Sequence, residues 1–181
     1  DKIDAQTKEK VFAAAWDITT VNGRIYGMPW LLDAKYFYYN EKILKEAGFD
    51  HPPATWEELV EQARVIKEKG LVEYPIAWSW AQAEAAICDF VALLYGNGGR
   101  FVDEQGKPAF NDEKGVQVLE WMVKTIDEGI SNPASVSYVE EDVRNVFSQG
   151  KAAFALNWLY MYDLAALNEQ ESQVVGQVKM S

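Results

Sequence analysis

Five helical stretches, each stopped by a glycine, alternate along this chain with short β-rich runs, and no other feature narrows its fold as far. The predicted helices end at Gly48, Gly70, Gly96, Gly129 and Gly150, the residue best suited to the left-handed turn that closes a helix. Between them lie β-rich runs at 24–26, 35–39, 74–78, 152–157 and 174–180. Strands alternating with helices point to an α/β fold. There is no internal repeat, low-complexity segment or interior linker.

Local chemistry sharpens the helix starts. Asn40 is placed to cap a helix over 41–47, and Asn111 one that ends at Gly129. Thr55-Trp56-Glu57-Glu58 reads as a capping box, with Thr55 Oγ accepting from the Glu58 amide and the Glu58 side chain returning to the Thr55 amide. Leu59, Ala63 and Ile66 then form a buried stripe. Spacing puts Val116, Leu119, Val123 and Ile126 on one inward face, and Val139, Val143 and Phe147 on another over 138–148. The apolar helix over 83–95 is expected to be central. A first helix is expected over 4–16, with no evident cap, and 101–110 reads as a hairpin. The Glu140-Glu141-Asp142 run reads as a solvated helical first turn.

Composition excludes several functions. The net charge of −11 argues against nucleic acid or an anionic membrane surface as partner. Cys88 is the only cysteine and His51 the only histidine, so no internal disulfide forms and a zinc site or a histidine-based triad has no ligand set. No metal or cofactor is expected. Gly96-Asn97-Gly98-Gly99 follows a helix, so it reads as a helix stop and not as a phosphate loop. The first ten residues are charged and polar, unlike a signal peptide.

Seven tryptophans are many for a chain of this size, and they gather with polar groups beside the strands. Trp30 and Asp33 sit between two β-rich runs that follow the Asn22-Gly23 turn. Trp78 and Trp80 precede Gln82, and Asn157 precedes Trp158, Tyr160 and Tyr162. In α/β sheets ligands sit beyond the carboxyl ends of strands. A flat apolar ring beside a hydrogen-bonding group suits a sugar, whose faces are apolar and whose edges are hydroxyls. The competing reading makes the rings core and Asp33 a solvated acid. A glycosidase needs two facing carboxylates; Asp33 has no evident partner, since Glu84 lies on a helix and Asp163 reads as a first-turn acid. No enzyme is expected.

The runs N-G-R-I-Y-G-M-P-W at 22–30, Y-Y-N-E-K-I-L-K-E-A-G-F-D at 38–50 and P-P-A-T-W-E-E-L at 52–59 resemble family 1 extracellular solute-binding proteins. These are the sugar receptors of ABC importers, maltose- and trehalose-binding proteins among them. N-G-G at 97–99, F-S-Q-G-K-A-A-F at 147–154 and N-W-L-Y at 157–160 continue the pattern in order.

The resemblance implies a periplasmic-binding-protein-like type II lobe, a mixed sheet flanked by helices. Residues 1–21 would be the tail of an N-terminal-lobe helix and the approach to a hinge, and 22–181 an incomplete C-terminal lobe. The N-terminal lobe of the same receptor and the importer's membrane subunits would be its partners. Location would be periplasmic or extracellular, lipid-anchored or free, with a signal peptide absent from this chain. Carried over by position, Asp33 would bond sugar hydroxyls and Tyr160 would stack on the ring. Trp30, Trp80, Gln82, Asn157 and Trp158 are the other candidate contacts, and Cys88 fits the third contact segment as well by count as Trp80 and Gln82. The expected function is non-catalytic binding of an oligosaccharide or glucoside in a cleft between two lobes. A polyol or glycerol phosphate receptor and a glycoside hydrolase fragment are the alternatives, and only Lys35 stands near a cluster as a phosphate would require.

Overall fold

A computed structural model describes residues 3–31 and 33–181. Two compact units emerge, Asp1–Ala34 and Lys35–Ser181.

In the first unit the helix expected over 4–16 is two short ones, α1 (Ala5–Glu9) and α2 (Ala13–Thr19). The Lys8 carbonyl explains the break, because it accepts from the Val11 amide and the Trp16 indole and so leaves the helical ladder. A cap does exist: Asp4 accepts from the Thr7 amide at 2.8 Å and the Thr7 hydroxyl at 2.9 Å. Thr20–Val21 (β1) and Arg24–Ile25 (β2) then pair antiparallel. The turn between them is Asn22 (φ 50°) and Gly23 (φ 74°), two left-handed residues in succession, the geometry that Asn-Gly favours in a two-residue hairpin.

The second unit is built on a four-stranded mixed sheet, β3 (Lys35–Asn40), β4 (Ile76–Ala77), β5 (Phe154–Trp158) and β6 (Val178–Met180), in the order β4-β5-β3-β6. β4 runs parallel to β5, while β3 is antiparallel to both β5 and β6. Strand alternation feeds two separate cores. Ile76, Phe154 and Leu156 face one, with Trp78 just after β4 and Leu59, Ile66 and Leu93 from the covering helices. Tyr38, Ala77 and Ala155 face the other, against Val143, Phe147 and Met161. A sheet covered on both sides reads as continuous apolar sequence, as A-A-F-A-L does here. The strands are shorter than the runs at 74–78 and 174–180 imply, and β5 is displaced from 152–157 toward Trp158.

On the first face lie α3 (Glu41–Ala47), α4 (Trp56–Glu68), α5 (Glu84–Gly96) and α6 (Glu113–Asp127). Asn40 caps α3, accepting from the Ile43 amide at 3.1 Å, and Gly48 (φ 95°) closes it. The α4 box is shifted by one residue: Thr55 accepts from Glu58, but the Glu58 carboxylate takes the Ala54 amide at 2.7 Å instead of the Thr55 amide. Asp112, not Asn111, caps α6, accepting from Gly115. The inward face of α6 also differs. Val118 and Thr125 are buried, and Trp121, Met122 and Ile126 pack on the core, while Val116, Leu119 and Val123 are exposed. Two apolar stripes of helical spacing compete there. Trp121 decides between them, because its ring packs 6.0 Å from Trp56 and 5.9 Å from Trp78.

On the second face lies α7 (Glu140–Ser148), where Val143 and Phe147 are buried, while Val139, expected inward, stands before the helix and is exposed. After β5 the chain makes a short α8 (Tyr160–Tyr162) that widens into a π-helical turn, Asp163–Leu167.

Candidate functional site

The parallel pairing of β4 with β5 brings their carboxyl ends together, and the antiparallel β3 starts at that same end. Lys35 is directly opposite Trp158 in the ladder, so their side chains share a face. Trp78, Ser79 and Trp80 leave β4 there, and Asn157, Trp158 and Tyr160 leave β5. Two of the three clusters read from the sequence thus share one end of one sheet.

What occupies the centre of that end is a charge network. Lys35 Nζ lies 3.0 Å from Asp89 Oδ1 and donates to Ser79 Oγ at 3.3 Å. Asp89 Oδ2 accepts from the Ser79 amide at 3.1 Å and its hydroxyl at 2.9 Å. The two charged side chains are 6% and 0% exposed. Burial pushes the Asp89 carboxyl pKa up, and Lys35 and Ser79 pull against that shift. Lys35 Nζ also stands 4.6 Å from the centre of the Trp158 ring, within cation–π range, and 4.0 Å from Glu140. Glu140, 25% exposed, accepts from Trp158 Nε1 at 3.0 Å. It is therefore a bonded group at the sheet end and not the solvated first-turn acid that its sequence suggests. Its neighbours behave otherwise: Asp142 caps the Val139 amide and Glu141 pairs with Arg144.

The candidate residues fall into distinct settings. Asn157 is fully buried, donating to the Glu140 carbonyl at 2.9 Å and accepting from the Trp158 amide at 2.8 Å, which ties α7 to the end of β5. Trp158 and Tyr160 are half-buried. The Tyr160 hydroxyl is buried beside the Glu141 carboxylate and Asn157 without a well-formed hydrogen bond among the described residues. Burial first, then the Glu141 carboxylate, push its pKa up, so it stays a protonated donor. Trp80 is 8% exposed and stacks on Trp78 with ring centres 5.2 Å apart. Its indole nitrogen is buried and unbonded among the described residues. Gln82 is exposed, and Cys88 is partly buried, its pKa raised by burial and then by Glu84. In the first unit, Trp30 is 94% exposed, and exposed Asp33 is oriented by the Ala34 amide at 2.8 Å.

Lys35, Ser79, Asp89 and Glu140 were not among the sequence candidates as a group. One signal was available for Asp89, the lone acid in the middle of I-C-D-F-V. Lys35 is likewise the only charge in a run of rings. Nothing local marks Glu140, because its partners are distant in sequence. A groove of about 450 Å³ lies elsewhere, lined by Phe37, Thr55, Trp56, Gly96 and Asn97, and none of the candidate contacts lines it. No group of His, Cys, Asp and Glu among the described residues could hold a metal ion.

The family model for bacterial extracellular solute-binding proteins matches residues 1–179. A probable ABC transporter-binding protein of Deinococcus radiodurans is 35% identical over 173 residues, 92% of this chain and 40% of the relative. The structure of T. maritima MalE3 with maltose bound superposes with a TM-score of 0.89 at 34% identity, covering 96% of this chain and 44% of that one. A Thermotoga lettingae solute-binding protein bound with alpha-D-tagatose gives 0.84 at 25% identity, over 98% and 45%. The chain spans about two-fifths of the length of the Deinococcus relative.

Proposed function

The chain belongs to the bacterial extracellular solute-binding proteins, and on that premise we propose that it forms the sugar-holding lobe of a non-catalytic receptor serving an ABC importer. The observation that carries the choice of solute is the sheet end itself. Trp158 and Tyr160 stand there half-exposed beside Glu140 and Glu141, and both cations near them are already paired, Lys35 with Asp89 and Arg144 with Glu141 and Glu171. Rings and carboxylates suit an uncharged sugar. A phosphate ester would need an unpaired Arg or Lys, which weighs against glycerol phosphate. A linear polyol lacks the flat apolar face that makes two rings useful, so a ring sugar fits better. The ligands named for the T. maritima and T. lettingae structures, maltose and alpha-D-tagatose, support this class.

In this reading Tyr160 stacks on the sugar and Trp158 flanks it. Trp80 and Gln82 stand in the third contact segment. Asn157 acts through Trp158. The sheet unit is the C-terminal lobe, and an N-terminal lobe of the same receptor forms the opposite wall. Sugar bridging both walls favours the closed form and so shifts the hinge equilibrium, and the importer's membrane subunits receive the loaded receptor. The protein acts outside the cytoplasmic membrane, periplasmic or extracellular and lipid-anchored or free, and engages no nucleic acid. No helix among the described residues is long and apolar enough to cross a membrane.

Calorimetric titration of maltose into the full-length protein tests the reading, with Tyr160→Ala as its probe. The substitution is expected to weaken binding by about 1–3 kcal/mol, the range for a lost ring contact. Equal affinity in the variant would remove Tyr160 from the site, and turnover of an aryl glucoside would overturn the non-catalytic assignment.

A further inference from the structure

We infer that Lys35 and Glu140 are positioning residues that together fix the indole of Trp158, one over its face and the other on its N–H. Four groups from four parts of the fold meet at the Lys35 ammonium: Asp89 of α5 at 3.0 Å, Ser79 after β4 at 3.3 Å, Glu140 of α7 at 4.0 Å and the Trp158 ring at 4.6 Å. A buried ion pair is a poor device for stability, since well-packed apolar residues of similar volume usually do as well or better. What apolar residues would not supply is a cation held against one face of an indole.

The geometry is over-determined at Trp158. An indole turns about two side-chain torsions, and a cation on its face together with an acceptor at its Nε1 leaves one orientation that satisfies both. The pairing of Lys35 opposite Trp158 sets the first constraint through the backbone. Asn157 sets the second, because its bond to the Glu140 carbonyl holds the start of α7 against β5. Asp89 and Ser79 keep the ammonium from swinging away. A ring fixed before the ligand arrives does not have to be ordered on binding, which is a direct gain in affinity. Only that last step rests on the sugar-receptor reading; the fixing of the ring does not.

The test uses the full-length protein and three variants. Lys35→Met/Asp89→Leu removes the pair without leaving a buried charge alone. Glu140→Ala removes the Nε1 acceptor, and Lys35→Arg keeps a cation. Exchange of the Trp158 indole N–H is followed by NMR, the resonance being identified by its loss in Trp158→Phe. The double variant should melt within about 4 °C of wild type, yet its indole proton should exchange about tenfold faster, as should that of Glu140→Ala. Maltose binding should weaken about 3- to 30-fold in the double variant, and Lys35→Arg should retain both protection and affinity. Wild-type protection in either the double variant or Glu140→Ala overturns the inference. Should the double variant fail to fold, Glu140→Ala decides alone, since it leaves Lys35 paired with Asp89. A wild-type protein that does not bind maltose would count against the proposed solute, and the exchange rates would still decide the positioning role.

Discussion

Lys35 Nζ and Asp89 Oδ1 are 3.0 Å apart with both side chains almost wholly removed from water, although the residues are separated by more than fifty positions and lie on β3 and α5. Each side chain makes the other tolerable. Truncating the acid leaves the ammonium with only the more distant Glu140, 4.0 Å away, as counter-ion in a site where water cannot replace the lost partner.

Asp89→Ala should therefore destabilise the protein by about 3–5 kcal/mol, the usual cost of breaking a buried pair from one side. Urea denaturation of wild type, Asp89→Ala and Lys35→Met/Asp89→Leu checks this. The double variant should be much closer to wild type than the single one. A loss below about 1 kcal/mol for Asp89→Ala would place the pair in the class of solvent-screened surface bridges and contradict its burial.

Tyr160→Phe separates the two halves of that side chain. Its hydroxyl is buried beside Glu141 without a well-formed hydrogen bond among the described residues, so removing it should leave the ligand-free protein as stable as wild type or raise its stability by about 1 kcal/mol. Thermal unfolding without sugar measures the change. A fall of more than about 1 kcal/mol would mean that the hydroxyl has a partner worth keeping in the free protein.

His51 offers a clean titration because it is the only imidazole in the chain. Its pKa is raised above 6.5 by the Pro52 carbonyl first, burial opposing that rise and the Glu58 and Asp50 carboxylates adding to it. A group whose folded pKa exceeds its unfolded value stabilises the fold below the unfolded pKa. That contribution is lost as pH rises through the folded value. NMR titration of the ring should give a midpoint above 6.5, and Glu58→Gln should lower it. A midpoint at or below 6.5 would show that the Pro52 and Glu58 contacts do not persist in solution.

Much of this architecture was legible in the residues alone because its signals are local. Asn40 beside Gly48, the Thr55 cap and the Asn22-Gly23 turn act through neighbours within a few positions, so their outcome is already contained in the chain. Errors arose where two local answers were equally good. The α6 helix carries two apolar stripes, and only the packing of Trp121 on Trp56 and Trp78 chooses between them. Asn111 and Asp112 are both competent caps, and the register of the helix selects the second.

By itself, the amino-acid sequence determined the class of fold, the order of the elements and the aromatic character of the end where β4 and β5 finish, because propensity, capping and hydrophobic period are properties of short segments. Only the tertiary structure decided which polar groups meet at that end. Lys35, Ser79, Asp89 and Glu140 come from three separate elements and the loop after β4, and their association depends on strand order and on burial, which strengthens charge interactions by excluding water. Neither quantity can be read from any one segment.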